Sequence, residues 1–408
     1  MRLSLRMILT GRALAVALAV ATLLGPSALG ASKYKVLHHF GAAKDGAVPS
    51  GALLLDIKGN LYGVTGGGPG QYGYGLAFGL MPQANGNWKE TILHTFASAD
   101  GSPWGAFIRD RAGNLYGTTV GGPISNSEVF ELSPTSRGWS YSILYTNGAG
   151  PGLLMDRVGN LYGAIGGGNY FGIGAIGDLS RGSNGWAYAD LFNFNPTVGY
   201  APPAPPIWDG KGNLYGTTSD GGISQPACWT SFGCGVLFKM TPNADDTWTY
   251  HILHRFASFR TDGQTPDGGL VLGASGGLYG VTGLGGVHNQ GTVFKFAFIG
   301  GHWKQTVLYD FPNCADGCFP GRTLAFDKLG NLYGVSDGGL QDCGYTCGVV
   351  FKLTPQTSGT WTYSVLHKFT GKDGAFPWGV IVDDKGNIFG TTENGGTYNS
   401  GVAFEITP

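Results

Sequence analysis

The chain has 408 residues, 12% of them charged, with 25 Lys and Arg against 26 Asp and Glu. That balance lacks the basic surface that a nucleic-acid partner selects, and 13% aromatic residues exclude a disordered chain. The 74 glycines point to many short strands joined by tight turns.

Arg2, Arg6 and Arg12 flank an apolar run over residues 13–24, followed by Gly25-Pro26 and the small residues Ala28-Leu29-Gly30. This is the pattern of a secretory signal peptide, residues 1–30, cleaved near Gly30 or Ala31. The run falls short of the ~20 residues a membrane anchor needs. Without the three leader arginines, 22 Lys and Arg face 26 Asp and Glu, a formal charge of −4. No cysteine marks a lipid anchor at the cleavage region, and no apolar tail precedes Pro408. The expected product is secreted, extracellular or periplasmic, without a membrane span.

The phrase Gly59-Asn60-Leu61-Tyr62-Gly63 returns verbatim at 113–117, 159–163, 212–216 and 330–334, and in looser form at 276–280 and 386–390. Its aromatic residue recurs at intervals of 54, 46, 53, 64, 54 and 56 residues, the mark of a repeat architecture. The sixth unit is the clearest. Runs at 323–327, 331–335, 348–355 and 361–369 are strand-length, rich in β-branched and aromatic residues, and bounded by Gly, Pro, Asp and Asn. The first three are apolar on both faces, which fits sheets packed between sheets. Seven such units around an axis predict an all-β fold over residues 31–408, a seven-bladed β-propeller of four-stranded blades. The last unit has runs at 380–383, 387–391 and 401–407 and then stops, whereas residues 32–40 align on 361–369. The N-terminal strand is therefore expected to complete the last blade and close the ring, which removes a free sheet edge. The third unit departs most from the repeat, at 171–178, and its neighbouring loop 193–206 is long and proline-rich.

The wording Asp-x-x-Gly-Asn-Leu-Tyr-Gly-x-Thr, then Gly-Gly, Gly-x-x-Phe-Lys-Leu-Thr-Pro, Trp and Leu-His-x-Phe resembles the Gloeo-Verruco (GloVer) tandem repeat over nearly all of residues 32–408. The resemblance implies export from a bacterium and no agreed activity. Many members carry varied C-terminal anchors; this sequence departs from them in showing no recognisable one.

The recurring polar residues read as scaffold. Asp56, Asp110, Asp156, Asp209, Asp327 and Asp383 precede the turns and are expected to bond the turn backbone; Gly273 stands in this place in unit five. His38, His94, His254 and His367 share a fourth-strand slot with Tyr145, Phe192 and Tyr309, so packing explains them better than proton transfer. The fourth-strand Trp residues are expected to pack at blade edges. Six cysteines fall as Cys228/Cys234, Cys314/Cys318 and Cys343/Cys347. An even count in an exported chain favours disulfides. Cross-pairing of the last two loops, or a zinc site built from Cys314, Cys318, Cys343 and Cys347, is the alternative.

Loops from strand two to three and from strand four to the next strand one share a face, which carries the cysteines and the insertions at 193–206, 221–235, 287–291 and 340–348. Variable loops on a rigid scaffold carry function, so a site is expected on this face near the central channel. The residue after the Pro that leads strand one is Ser50, Trp104, Asp267, Gly321 or Trp378. Trp378, Ser50 and Trp104 belong to consecutive blades, and two Trp across one Ser would make a platform for a sugar ring. Arg322 occupies a slot that is Gly in several units, and His288 lies in a loop of the same face. Asp45, Asp100, Asp262, Asp316 and Asp373 form a ring of Asp-Gly turns there.

No nucleophile elbow, phosphate-cradling loop or metal-spaced histidine cluster is present. The reading is a monomeric binding module without metal or cofactor, its partner a glycan or a surface protein. The alternative is a carbohydrate-active enzyme, a polysaccharide lyase or glycoside hydrolase, using Arg322, Asp267, His288 and Asp316 at the channel mouth. A structural or adhesive surface protein without a small ligand is the third possibility.

Overall fold

Each copy of the repeated phrase begins with a glycine at positive φ, +82° at Gly59 and +100° at Gly159, a conformation glycine adopts without steric cost. It ends with a glycine that faces a phenylalanine of the third strand. A Cβ on Gly63 would lie 2.6 Å from the ring of Phe78, and one on Gly334 would lie 2.5 Å from Phe351. Only glycine admits the ring. In the third unit Gly177 takes the phenylalanine's place opposite Gly163, and the Tyr188 ring fills the space instead. Pairing of the second and third strands is short there, limited to residues 161–163, so this blade is the least regular, as its sequence implied.

The computed structural model describes residues 32–408 except 43, 69–72, 122–126, 147, 166–173, 184, 223–227, 229–232, 258–261 and 340–346. The leader, Cys343 and most of the insertions at 221–235 and 340–348 lie outside the described residues. Those described contain strands and no helix. They form seven antiparallel sheets, six of them meanders of consecutive strands and the seventh taking its last strand from the N-terminus. In blades one and five the first strand is split in two, as Ala47–Pro49 with Leu54–Leu55 and Gln264–Pro266 with Val271–Leu272. The strand Lys33–His39 pairs antiparallel with Val402–Thr407 and completes the last blade. The protein is thus a closed seven-bladed β-propeller.

In every blade but the fifth, where Gly273 stands instead, the turn before the second strand is held by its aspartate. Asp56 Oδ1 accepts the N–H groups of Lys58 and Asn60 at 2.8 and 2.9 Å, and Oδ2 accepts the Asn60 amide at 2.9 Å and the Tyr62 hydroxyl at 3.2 Å. Burial alone would raise the Asp56 carboxyl, but these bonds outweigh it and hold it below the usual range. Asp327 is held alike by Leu329, Asn331 and Tyr333. In blade seven Phe389 brings no hydroxyl, and Asp383 keeps only the bonds from Lys385 and Asn387.

The blades meet through apolar clusters. Phe40 and Phe389 of blade seven pack with Leu53 and Phe78 of blade one. Fourth-strand Trp residues reach the second-strand aromatic of the preceding blade, Trp139 to Tyr62 and Trp361 to Tyr279. Towards the outside, fourth-strand rings of neighbouring blades stack nearly parallel: His94 on Tyr141, Tyr145 on Tyr188, Phe192 on Tyr250, Tyr309 on Tyr363 and His367 on Tyr34, with centroids 3.8 to 4.5 Å apart. The histidines do more than pack. His38, His254 and His367 each bond the aspartate of the following Asp-Gly turn at 2.9 Å.

Candidate functional site

The first strand of most blades lines the axis, and there its regular pairing breaks. Between Gly321 and Ala325 the partner strand advances two residues while this strand advances four; the same holds between Trp104 and Ile108. Such bulges re-aim side chains. They border a cavity of about 390 Å³ on the ring axis, lined by all seven blades and walled on one side by the proline-rich segment 201–205.

Arg322 sits inside the blade-six bulge at φ +68°. The equivalent residues of other blades are Gly51, Gly105 and Gly268, and Gly105 has φ +88°. A non-glycine residue held in this region costs energy and concentrates at functional sites. The Arg322 guanidinium lies over the Trp378 ring, 3.2 Å from its centroid, and Nη2 meets Glu393 Oε1 at 3.3 Å. Its backbone N–H donates to Asp267 O at 2.6 Å. Trp104 approaches Trp378 edge-on, with centroids 5.1 Å apart and planes at 80°.

Three carboxylates share this one cation. Asp267 borders the cavity with its residue surface still exposed; desolvation of the carboxyl raises it and Arg322 opposes the shift. Asp337, exposed at the end of its strand, is pushed up to about 6, first by desolvation from the groups crowding its carboxyl, with Asp267 and Glu393 adding to the shift against Arg322. Glu393 is raised by burial against the same Arg322. Asp337 and Glu393 occupy one repeat slot, four residues after the second-strand aromatic, which is Gly66, Val120, Ser219 and Gly283 in other blades. Sequence reasoning passed over both; comparison of that slot across units would have found them. Two polar atoms at this place, Trp378 Nε1 and Thr323 Oγ1, are buried without a hydrogen-bond partner among the described residues.

The remaining candidates lie apart. Ser50 is 2% exposed, and its hydroxyl donates to Pro103 O at 2.9 Å, so it ties blade one to blade two instead of facing the cavity. His288 is outside the cavity lining, with Nδ1 2.8 Å from Asp310 Oδ1. Asp316 pairs with Lys368 at 2.7 Å. Disulfides join Cys228 to Cys234 and Cys314 to Cys318. The zinc alternative is overturned, because the sulfurs of Cys314 and Cys318 are bonded to each other. Cys347 is also disulfide-bonded. Among the described residues no helix is long and apolar enough to cross a membrane. The disulfides are consistent with an oxidising, extracellular or periplasmic compartment.

The fold and the axial cavity define the class: a seven-bladed β-propeller with a pocket of ligand size. Residues 227–408 match the Gloeobacter/Verrucomicrobia repeat family, so this part of the ring carries that repeat. No curated protein matches the sequence. Among solved structures, PorZ of Porphyromonas gingivalis, a surface component of the type-IX secretion system, is 13% identical with a TM-score of 0.52, over 90% of this chain and 47% of that one. An ancestral GH74 enzyme is 11% identical with a TM-score of 0.53, over 88% of this chain and 51% of that one. The chain spans about half the length of each, and at these identities the likeness is one of fold.

Proposed function

We propose that this protein is an exported binding propeller that holds a saccharide unit in its axial cavity. The observation that carries the reading is Arg322, placed with backbone strain where sister blades keep glycine, and fixed by Trp378 and Glu393 at a concave wall. A guanidinium and a carboxylate held in place present donors and acceptors to ring hydroxyls. The partly exposed Trp104 adds apolar contact. Such a mixture of an apolar wall with few convergent polar groups is typical of ligand pockets. Export rests on the leader pattern and on the disulfides. The test is retention of a polysaccharide panel by immobilised protein. Retention without turnover, lost in Arg322→Gly, supports the reading. Retention unchanged in Arg322→Gly refutes it, and binding of a surface protein with no glycan retained supports the partner reading instead.

A second reading has its own observation. Asp337 and Asp267 both carry raised carboxyls beside Arg322, and a carboxyl poised near the working pH suits general acid catalysis. A hydrolase or lyase would release reducing ends or unsaturated products from that panel. Such products, abolished by Asp337→Asn, would replace the binding reading with catalysis.

A further inference from the structure

We propose that His38, Asp45 and Glu90 form a divalent-cation site, suited to Zn²⁺, in the groove between blades seven and one. The ring supplies its own comparison. At five of the seven blade interfaces the fourth-strand ring stacks on a tyrosine two residues after the repeated Trp slot (Ser32 in blade seven), Tyr34, Tyr141, Tyr188, Tyr250 or Tyr363. At the interface of blades four and five this tyrosine is Gln305, whose amide donates to Asp262 O at 2.9 Å and so is satisfied. At the interface of blades seven and one it is Glu90, facing His38.

Glu90 therefore gives up an aromatic stack and brings a carboxylate into a half-buried groove that already holds Asp45, 5% exposed. Its Oε1 is enclosed, with His38 Nε2 3.9 Å away and no hydrogen-bond partner within 3.5 Å among the described residues. Two carboxyl groups brought together in a half-buried groove disfavour both being ionised unless a cation lies between them. The three ligand atoms converge. His38 Nε2 lies 2.9 Å from Asp45 Oδ2 and 3.9 Å from Glu90 Oε1, and all lie within 4.8 Å of one another. Ligands bound to zinc at about 2.0 to 2.2 Å lie roughly 3 to 3.5 Å apart, so the set closes with small rotamer shifts. Asp45 is pre-positioned, since its Oδ1 accepts the Gly46 N–H at 2.8 Å while Oδ2 faces the histidine. The His38 ring is set edge-on against Phe40, with centroids 4.7 Å apart. One imidazole and two carboxylates suit a borderline ion better than Mg²⁺ or Ca²⁺, which favour all-oxygen sets. The groove is open to solvent beside these residues, and Lys44 and His39 also line it, so water can complete the coordination.

The test uses the mature, disulfide-intact chain, stripped with EDTA and titrated with ZnCl₂ by calorimetry, with melting followed in parallel. One Zn²⁺ is expected to bind per chain and raise the melting temperature. Glu90→Tyr rebuilds the stack found at the sister interfaces and keeps the fold, and it should weaken zinc binding at least tenfold. His38→Phe, which copies Phe192, should do the same. No zinc binding by the wild type overturns the proposal. So does equal binding by either folded variant, which would move the ion to His39 or elsewhere.

Discussion

The guanidinium carbon of Arg322 lies 3.2 Å from the centroid of the Trp378 ring, across the seam between blades six and seven. One face of Trp378 is thereby covered and the ring is 6% exposed, so the aromatic platform inferred for Trp378 and Trp104 is instead a cation seated on one indole with the second indole at its edge. The backbone at Arg322, at φ +68°, is spent on this placement.

Arg322→Gly should destabilise only modestly, chiefly at neutral pH where Glu393 loses its partner. It relieves about 1 kcal/mol of backbone strain and loses about 1 kcal/mol of cation–π contact. Arg322→Ala keeps the strain and should be about 1 kcal/mol less stable than Arg322→Gly. Thermal melts of the two variants check this, and both should lose at least tenfold in saccharide retention.

Asp337 gives a pH signature. Its folded carboxyl, near 6, stands above its unfolded value. Its contribution to stability is then fully present below the unfolded range near pH 4 and is lost as pH rises through 6. Asp337→Asn stays neutral throughout. It should raise the melting temperature at pH 7 and leave it unchanged at pH 4, read by melts at the two pH values.

The turn aspartates allow an internal control. Asp327→Ala strips bonds from Leu329, Asn331 and the Tyr333 hydroxyl and should cost about 2 to 3 kcal/mol. Asp383→Ala leaves no hydroxyl orphaned, because Phe389 stands in place of tyrosine, and should cost about 1 kcal/mol less. The Asp327 carboxyl is held below its usual range: burial works to raise it, but bonds led by Asn331 prevail. Its contribution is thus present above the ordinary carboxylate range and lost as pH falls through the lowered value. Urea melts at pH 7 should separate the two variants, and the Asp327→Ala loss should shrink in strong acid.

Removing residues 33–40 should be far more damaging than trimming a loose terminus. It exposes the edge of Val402–Thr407 and removes the fully buried Phe40; the phenylalanine alone is worth about 3 to 5 kcal/mol. The shortened chain should melt much lower or aggregate. An unchanged melting temperature would refute closure by this strand.

The scaffold was legible in the sequence because its rules are local and repeated. The Asp-Asn-Tyr spacing encodes a turn that closes on itself within seven residues, and the glycine opposite Phe78 or Phe351 is fixed by strand pairing inside one blade. Ring closure was legible from one missing strand at one end and one spare strand at the other. The short spacings Cys228/Cys234 and Cys314/Cys318 likewise left each cysteine its partner nearby.

What the tertiary structure decided is how residues of different blades meet. Arg322 gains its meaning from Trp378 and Glu393, 56 and 71 residues further along the chain, and Glu90 from His38 and Asp45 of the closing seam. Ser50 satisfied every sequence criterion for the channel mouth, yet its hydroxyl is consumed by Pro103 of the next blade. Repeat spacing determines each blade and the number of blades. The angle at which one blade presents a bulged strand to the next, and hence which polar groups are left facing the axis, follows only from packing the whole ring.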